Sequence, residues 1–225
     1  DWIAPEMYEQ MVQAMESYAG ELVICGYDYY DEDYIVDETR RYPVKPNEII
    51  NQKELMKRMS DMPPSIRHGV CNKLFKSSLL RSMKFAVGLH SSEDVLFLNE
   101  YTKVVQTAVV IHQPFYKNLV RQGSATHGGL SVDNLADSFK AHNEMYETIV
   151  TTYPDLKEHS LAFLLDICVL KYSEAVKKSN ALPKEKKTRA NIQLKRMKRY
   201  IKSKAKQAVF DREIYWKTRI YYLIF

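Results

Sequence analysis

The hydrophobic positions of the first half of the chain alternate between helical spacing and short unbroken runs. Residues 5–18 place apolar side chains three and four positions apart, which predicts a first helix that ends near Gly20. Residues 22–27 follow as a continuous apolar run, which is typical of a buried strand. A helix, a short turn and a buried strand form one αβ unit, so the pattern favours a sheet with helices packed on it.

The segment 28–50 that follows is polar, acidic and rich in tyrosine, and Pro43 and Pro46 disfavour helix there. It predicts a strand edge followed by an extended loop. Periodic apolar spacing then returns in several short elements before a polar, glycine-containing loop over 121–129. The predicted elements are helices over 51–60 and 93–104, a short helix at Leu79-Leu80, a strand over 107–111 and a second extended piece from Pro114 to Val120.

Beyond Leu130 the apolar spacing is helical throughout. It predicts helices over 132–151 and around 161–172, and a third helix after Pro183 that carries an apolar stripe among lysines. The stripe consists of Leu194, Met197, Ile201, Ala205 and Ala208. We therefore predict an α/β domain over residues 1–130 and an α-helical extension over residues 131–225.

The net charge of +5 conceals an uneven distribution. Between Lys184 and Arg219 there are 14 lysine and arginine residues against 3 acidic residues, so the rest of the chain is mildly acidic. No apolar run reaches the 18 residues that a membrane span needs. The three cysteines lie far apart without metal-ligand spacing, which favours reduced thiols in a cytosolic setting.

Two adjacent carboxylates, Glu93 and Asp94, begin the apolar helix predicted over 93–104. In the first turn of a helix they face unpaired N–H groups and the positive end of the helix dipole, which favours their ionised form. Such carboxylates at the end of an element are accessible to a substrate. The alternative is an ordinary helix N-terminus, capped by Ser92.

Seven features follow one another in a fixed order along residues 1–130. They are the Asp1-Trp2-Ile3 start, the αβ unit, the block Cys71-Asn72-Lys73-Leu74-Phe75-Lys76, Ser92-Glu93-Asp94, the strand predicted over 107–111, Pro114-Phe115-Tyr116, and Arg121-Gln122-Gly123-Ser124-Ala125-Thr126. In this order they resemble the second half of the GT-A catalytic domain of family 2 glycosyltransferases. The resemblance implies the second half of a mixed GT-A sheet with packed helices. The nucleotide-binding half, with its metal-binding Asp-x-Asp, would precede Asp1, and a fragment without it is expected to be inactive alone.

The resemblance also implies an activity, namely inverting transfer of a sugar from a nucleotide-diphosphate sugar to an acceptor hydroxyl in surface or capsular polysaccharide synthesis. In this reaction Asp94 would be the general base, with Glu93 beside it in the acceptor site. The resemblance assigns Arg121, Gly123 and Ser124 to binding of the donor diphosphate, and Asn72 and Lys73 to the acceptor side. His127 would be a ligand of the divalent cation, Mn or Mg. For several of these a simpler interpretation stays open. Lys73 could point outward from a strand end, His127 could be solvated, and the loop could be an ordinary polar turn.

The basic helix over residues 184–209 would suit an anionic membrane surface. Such a surface fits an enzyme that acts on a glycan or lipid-linked acceptor, in the cytoplasm or peripherally at the inner face of the plasma membrane. In the alternative, the apolar stripe of this helix docks on the rest of the protein. Two other functions remain open, a non-catalytic sugar- or partner-binding module and a nucleic-acid adaptor. The acidic body and the lack of a nucleic-acid fold signature argue against the adaptor.

Overall fold

In the computed structural model the protein is mixed α/β, as the hydrophobic pattern predicts. The structure describes residues 1–62, 65–89, 91–121 and 132–210. The chain forms two compact units. The sheet unit comprises Asp1–Leu55, His68–Lys84 and Glu100–Gly128, and the helical unit comprises Met56–Arg67, Phe85–Asn99 and Gly129–Phe225. The assignment of residues 1–130 to a catalytic domain and of residues 131–225 to an extension stays a prediction.

In the described part of the sheet unit, five strands form one mixed sheet. They are β1 (Trp2–Ile3), β2 (Leu22–Tyr30), β3 (Glu48–Asn51), β4 (Lys73–Phe75) and β5 (Thr107–Leu119). The order is β1-β5-β2-β4, and β3 also pairs with β5. Only β2 and β5 run parallel, and the other pairs are antiparallel. The longest strand, β5, therefore contacts three of the other four.

The two extended pieces predicted over 107–111 and 114–120 are one strand, so their separation was wrong. The register along β2 shifts where the sequence pattern suggested a break. Ile111 is paired with Cys25, whereas the next paired residue of β5, Tyr116, is opposite Tyr27. Pro114 lies in this irregular stretch. Proline has no amide hydrogen to donate, and the irregular pairing here does not need one.

The short strand β3 lies in a region that the sequence predicted to be an extended loop leading into a helix. Glu48 pairs with Val110 and Asn51 with Thr107, so β3 covers the first part of one edge of β5. The two-residue β1 pairs with Tyr116 and Lys117 further along the same strand. One edge of β5 pairs with β2, and the opposite edge pairs with both β3 and β1. On that opposite edge, residues 111–115 of β5 form a gap between β3 and β1.

The first helix, α1 (Met7–Ser17), agrees with the prediction and packs on β2 and β5 through Met7 and Met11. Its end differs in detail from the expected glycine cap. Ala19 takes the left-handed conformation with φ of 49°, while the Gly20 N–H donates to Met15 O at 2.8 Å. Gly20 is required for packing instead, because a Cβ there would lie 2.9 Å from Cγ2 of Val109.

Three further helices precede the C-terminal third: α2 (Gln52–Met59), α3 (Ser77–Leu80) and α4 (Glu93–Thr102). All three were predicted from the sequence. Two 3₁₀ turns, Glu38–Arg40 and Pro154–Leu156, complete the elements outside the long helices.

Three long helices, α5 (Val132–Thr152), α6 (Lys157–Asn180) and α7 (Lys184–Phe210), share one core in the helical unit. The apolar stripe of α7 belongs to that core: Ala190, Leu194, Met197, Ile201 and Ala205 are all buried. The side chain of Ala208 lies outside the described residues. The stripe thus docks on its neighbouring helices, as the alternative interpretation of this helix expected. Among the described residues, no helix is long and apolar enough to cross a membrane.

Candidate functional site

The predicted carboxylate pair occupies the first turn of α4. The Glu93 side chain is exposed, whereas Asp94 is partly buried and its Oδ1 accepts from the Val95 N–H at 2.8 Å. Directly behind the pair, Val95 and Leu96 are buried and anchor the turn. The pair therefore combines an open carboxylate with a positioned one on a fixed helix end.

Ser92, immediately before the pair, has a φ of 64°. A residue that caps a helix normally has extended backbone, and a residue with a Cβ rarely adopts the left-handed region. Such conformations cost free energy and concentrate at functional sites. The geometry of Ser92 therefore departs from the plain capped N-terminus that was the alternative for this stretch.

The segment that leads into Ser92 is held within the helical unit by two contacts. The Ser91 hydroxyl donates to the backbone oxygen of Asn134 at 3.0 Å. Phe85 stacks on Phe97 with ring centroids 4.2 Å apart and planes 7° from parallel. These contacts fix the chain on both sides of the strained residue, as a stable left-handed conformation requires.

Asn72 and Lys73 lie in the sheet unit at the start of β4, and both are buried, with 5% and 6% of their surfaces exposed. The Asn72 amide donates to the backbone oxygen of Cys25, and the Lys73 ammonium donates to Asn72 Oδ1 at 2.9 Å and to Gly69 O. The alternative of an outward-pointing lysine is therefore wrong. Burial raises the pKa of the neighbouring Cys25 thiol to about 12 even with Lys73 close by, so this thiol is protonated at neutral pH.

The predicted donor-side loop is described only at its first residue. Arg121 follows β5 in the sheet unit and is exposed. Gly123, Ser124 and His127 lie outside the described residues. Within the described ranges no group of three or more His, Cys, Asp or Glu side chains could hold a metal ion. The roles of the loop and of the cation stay predictions.

Asp1 anchors the start of the chain to β5. Its Oδ2 accepts from the Tyr116 hydroxyl at 2.7 Å and its Oδ1 from the Leu119 N–H at 2.8 Å. The Trp2 ring then packs against the Tyr30 ring in a tilted arrangement, with ring centroids 4.7 Å apart. The Asp-Trp start thus has a structural role in closing the edge of the sheet.

A polar network that the sequence pattern did not predict holds the segment 37–48 on the sheet. Buried Asp28 accepts from Arg41 Nη1 at 2.8 Å and from the Tyr42 N–H at 2.9 Å. The Tyr42 hydroxyl lies 3.3 Å from Nδ1 of His112, whose Nε2 lies 2.7 Å from the Glu48 carboxylate. One cue was present in the sequence, namely a charged or imidazole side chain at the end of each buried apolar run.

The network joins a hydroxyl, an imidazole and a carboxylate in one series of contacts. It also depends on Gly26, because a Cβ there would lie 2.4 Å from the Tyr42 ring. The four contacts of the network join residues that are up to 70 positions apart in the sequence. We infer that the role of this polar network is to hold the segment 37–48 in position on the sheet.

No family model matches the chain, and no curated protein matches it. The likeness to family 2 glycosyltransferases therefore rests on the chain's own motifs and on their order.

Proposed function

We propose that this chain is the acceptor-side part of an inverting family 2 glycosyltransferase. The observation that carries the proposal is the carboxylate pair Glu93-Asp94 on the first turn of α4, directly after Ser92 in a strained conformation. Strained residues cluster at active sites, where they preorganise the neighbouring groups, and a simple helix cap does not need one. The mixed α/β sheet with packed helices is compatible with this class.

In the proposed reaction an acceptor hydroxyl attacks the anomeric carbon of the donor sugar. Asp94 takes the hydroxyl proton as the new C–O bond forms, and the nucleoside diphosphate leaves with the electrons of the broken bond. Glu93, exposed beside it, orients the acceptor hydroxyls. The partly buried position of Asp94 and its bond from the Val95 N–H hold the base in one orientation.

Negative charge grows on the departing diphosphate and needs a cationic partner. Arg121 is exposed two residues after the end of β5 and supplies a permanently charged, planar donor. Mn or Mg would add to this neutralisation when bound. The resemblance assigns this role to Arg121, and it makes His127, which lies outside the described residues, a ligand of the cation.

The resemblance extends the proposal to the substrate class. The donor is a nucleotide-diphosphate sugar, and the acceptor is a glycan or a lipid-linked saccharide in the synthesis of surface or capsular polysaccharide. The resemblance assigns Asn72 and Lys73 to the acceptor side, and both are buried within the sheet unit. Their side chains bond to backbone and to each other within the sheet unit, so they fix the start of β4.

The test is Asp94→Asn in the intact protein, with the donor-binding half that the resemblance implies. Loss of the base should lower turnover by about 10²–10⁴-fold while nucleotide-sugar binding is unchanged. The matched control is Glu100→Gln, an exposed acid near the other end of α4 that pairs only with exposed Lys103. It should retain full turnover.

Turnover of Asp94→Asn close to that of the unsubstituted protein would reject Asp94 as the base. The transferase proposal as a whole would be contradicted if the intact protein binds nucleotide sugars but neither transfers nor hydrolyses them. That result would favour the competing function, a non-catalytic sugar-binding module.

A second observation favours contact with an anionic membrane surface. With its apolar stripe buried in the helical core, α7 exposes a row of cationic side chains, Lys195, Arg199, Lys202 and Lys206, spaced four, three and four residues apart. We propose that this row binds anionic headgroups at the inner face of the plasma membrane. Binding through charge alone needs no inserted helix face.

A further inference from the structure

A polar groove of about 330 Å³ lies in the sheet unit, beside the gap between β3 and β1 on β5. Its residues come from α1, from the segment before β3 and from the irregular stretch of β5. They are Gln10, Gln13, Ala14, Ser17, Tyr18, Asn47, Ile111, Gln113 and Phe115. The volume is at the lower end of the range for small-molecule sites, roughly 300–1,000 Å³.

The lining has an apolar floor and an amide rim. Ala14, Ile111 and Phe115 are buried and form the floor. Four exposed carboxamides, those of Gln10, Gln13, Asn47 and Gln113, surround it, together with the hydroxyl of Ser17 and the half-exposed ring of Tyr18. Among the described residues, no lysine, arginine, aspartate or glutamate lines the groove.

The absence of charge from the lining narrows the class of ligand. A phosphate or carboxylate would find no cation, and a metal ion would find no carboxylate or imidazole in this lining. A carboxamide presents both donors and an acceptor, which matches a hydroxyl group that also does both. An aromatic ring beside an apolar floor suits the C–H face of a sugar ring.

Two structural features bring these amides together. Gln10, Gln13 and Ser17 lie three and four residues apart on α1, so they share the face that also carries buried Ala14. On β5, the register irregularity between Ile111 and Tyr116 surrounds Gln113. Irregularities of this kind redirect side chains and are common beside functional sites.

The four amide side chains have no hydrogen-bond partner among the described residues. Their donors and acceptors are therefore available to a ligand. Addition of a peptide strand fits the gap less well, because the free edge of β5 covers only residues 111–115. Within that stretch Phe115 O already accepts from the Ala4 N–H, and Pro114 has no amide hydrogen to donate.

We propose that this groove is a binding site for a neutral carbohydrate unit. Its residues are distinct from those of the proposed transfer chemistry, so the inference does not rest on the proposed function. In a protein that handles glycans, such a site would retain a neutral segment of a longer chain through hydrogen bonds to its ring hydroxyls. It would contribute affinity without contacting the reacting atoms.

The probes are two neutral trisaccharides, maltotriose and chitotriose, observed by saturation-transfer NMR at millimolar concentration with the whole chain. At least one should bind. Gln13→Ala and Gln113→Ala should each weaken that binding about five- to tenfold, as expected for the loss of neutral hydrogen bonds. The matched control is Gln106→Ala, an exposed glutamine of the same unit outside the groove. It should bind as the unsubstituted chain does.

Three results would overturn the proposal. They are no binding of either trisaccharide, binding that survives both groove substitutions, and binding that falls equally in Gln106→Ala. Circular dichroism of each variant separates loss of contact from loss of folding, and these exposed glutamines should not affect folding. Binding should persist in Asp94→Asn, so a failure of the transfer proposal leaves this one independently testable.

Discussion

Gly26 illustrates how a single missing side chain determines the position of a whole segment. A Cβ at this position would lie 2.4–2.8 Å from three atoms of the Tyr42 ring. The ring cannot yield easily, because the Tyr42 N–H is bonded to buried Asp28 and its hydroxyl lies beside His112. We predict that Gly26→Ala lowers the free energy of unfolding by about 1–3 kcal/mol, the usual cost of overpacking.

Urea denaturation of Gly26→Ala measures this loss, and Tyr42→Ala supplies the control. In the Tyr42→Ala background the clash is absent, so adding Gly26→Ala should cost less than about 0.5 kcal/mol. A full penalty in both backgrounds would show that the strand backbone, and not the ring, requires glycine at position 26.

The candidate site at the residue scale was partly predictable. The position of Glu93 and Asp94 on a first helical turn followed from the apolar spacing behind them. The left-handed φ of Ser92 did not, because serine has no local preference for that conformation and tertiary contacts impose it. Burial of Lys73 was equally hidden, since its acceptors Asn72 Oδ1 and Gly69 O converge only once the loop before β4 is folded.

At the scale of elements, α5 and α6 enclose an imidazole that folding keeps neutral. His142 on α5 is 5% exposed, donates from Nδ1 to the Ser138 carbonyl at 2.7 Å and packs near the Phe163 ring of α6. Burial, with a smaller contribution from the positive charge of Lys171, lowers the pKa of His142 from 6.5 to about 4. The folded protein therefore binds this proton less readily than the unfolded chain does.

The contribution of His142 to stability is present above the unfolded pKa of about 6.5 and is lost as pH falls towards the folded value near 4. The full difference corresponds to about 3 kcal/mol. We predict that lowering the pH from 7 to 4 destabilises the chain by that much more than it destabilises His142→Gln. Urea denaturation at several pH values measures the difference. An NMR titration that places the His142 pKa near 6.5 would contradict this prediction.

The elements themselves were predictable to different degrees. The helices α1, α2, α4 and α5 follow from local amphipathic spacing. By contrast, β3 contains only two adjacent isoleucines, and its partner on β5 lies about 60 residues away, so no local pattern indicates it. For the same reason β5 looked like two pieces, because Pro114 interrupts the local pattern although β2 continues beside both parts.

At the scale of the whole molecule the order of elements and the distribution of charge were both visible in the sequence. Which side chains of α7 face outward was not, because the amphipathic pattern fits a membrane and a protein core equally well. Packing with α5 and α6 resolves this choice in favour of the core, and the exposed surface of the helix carries the row of cationic side chains. The basic row should therefore bind an anionic surface electrostatically and be sensitive to salt.

We predict that the intact protein sediments with vesicles containing anionic phospholipid at low salt and not with purely zwitterionic vesicles. Replacing Lys195, Lys202 and Lys206 by glutamine should weaken binding roughly 100-fold, since each lysine near such a surface contributes about 1 kcal/mol. The control removes the same charge elsewhere, by glutamine at exposed Lys45, Lys57 and Lys84. Equal loss in both triple variants would mean that net charge and not the α7 row drives binding, and tighter binding to single-stranded RNA than to vesicles would favour a nucleic-acid partner.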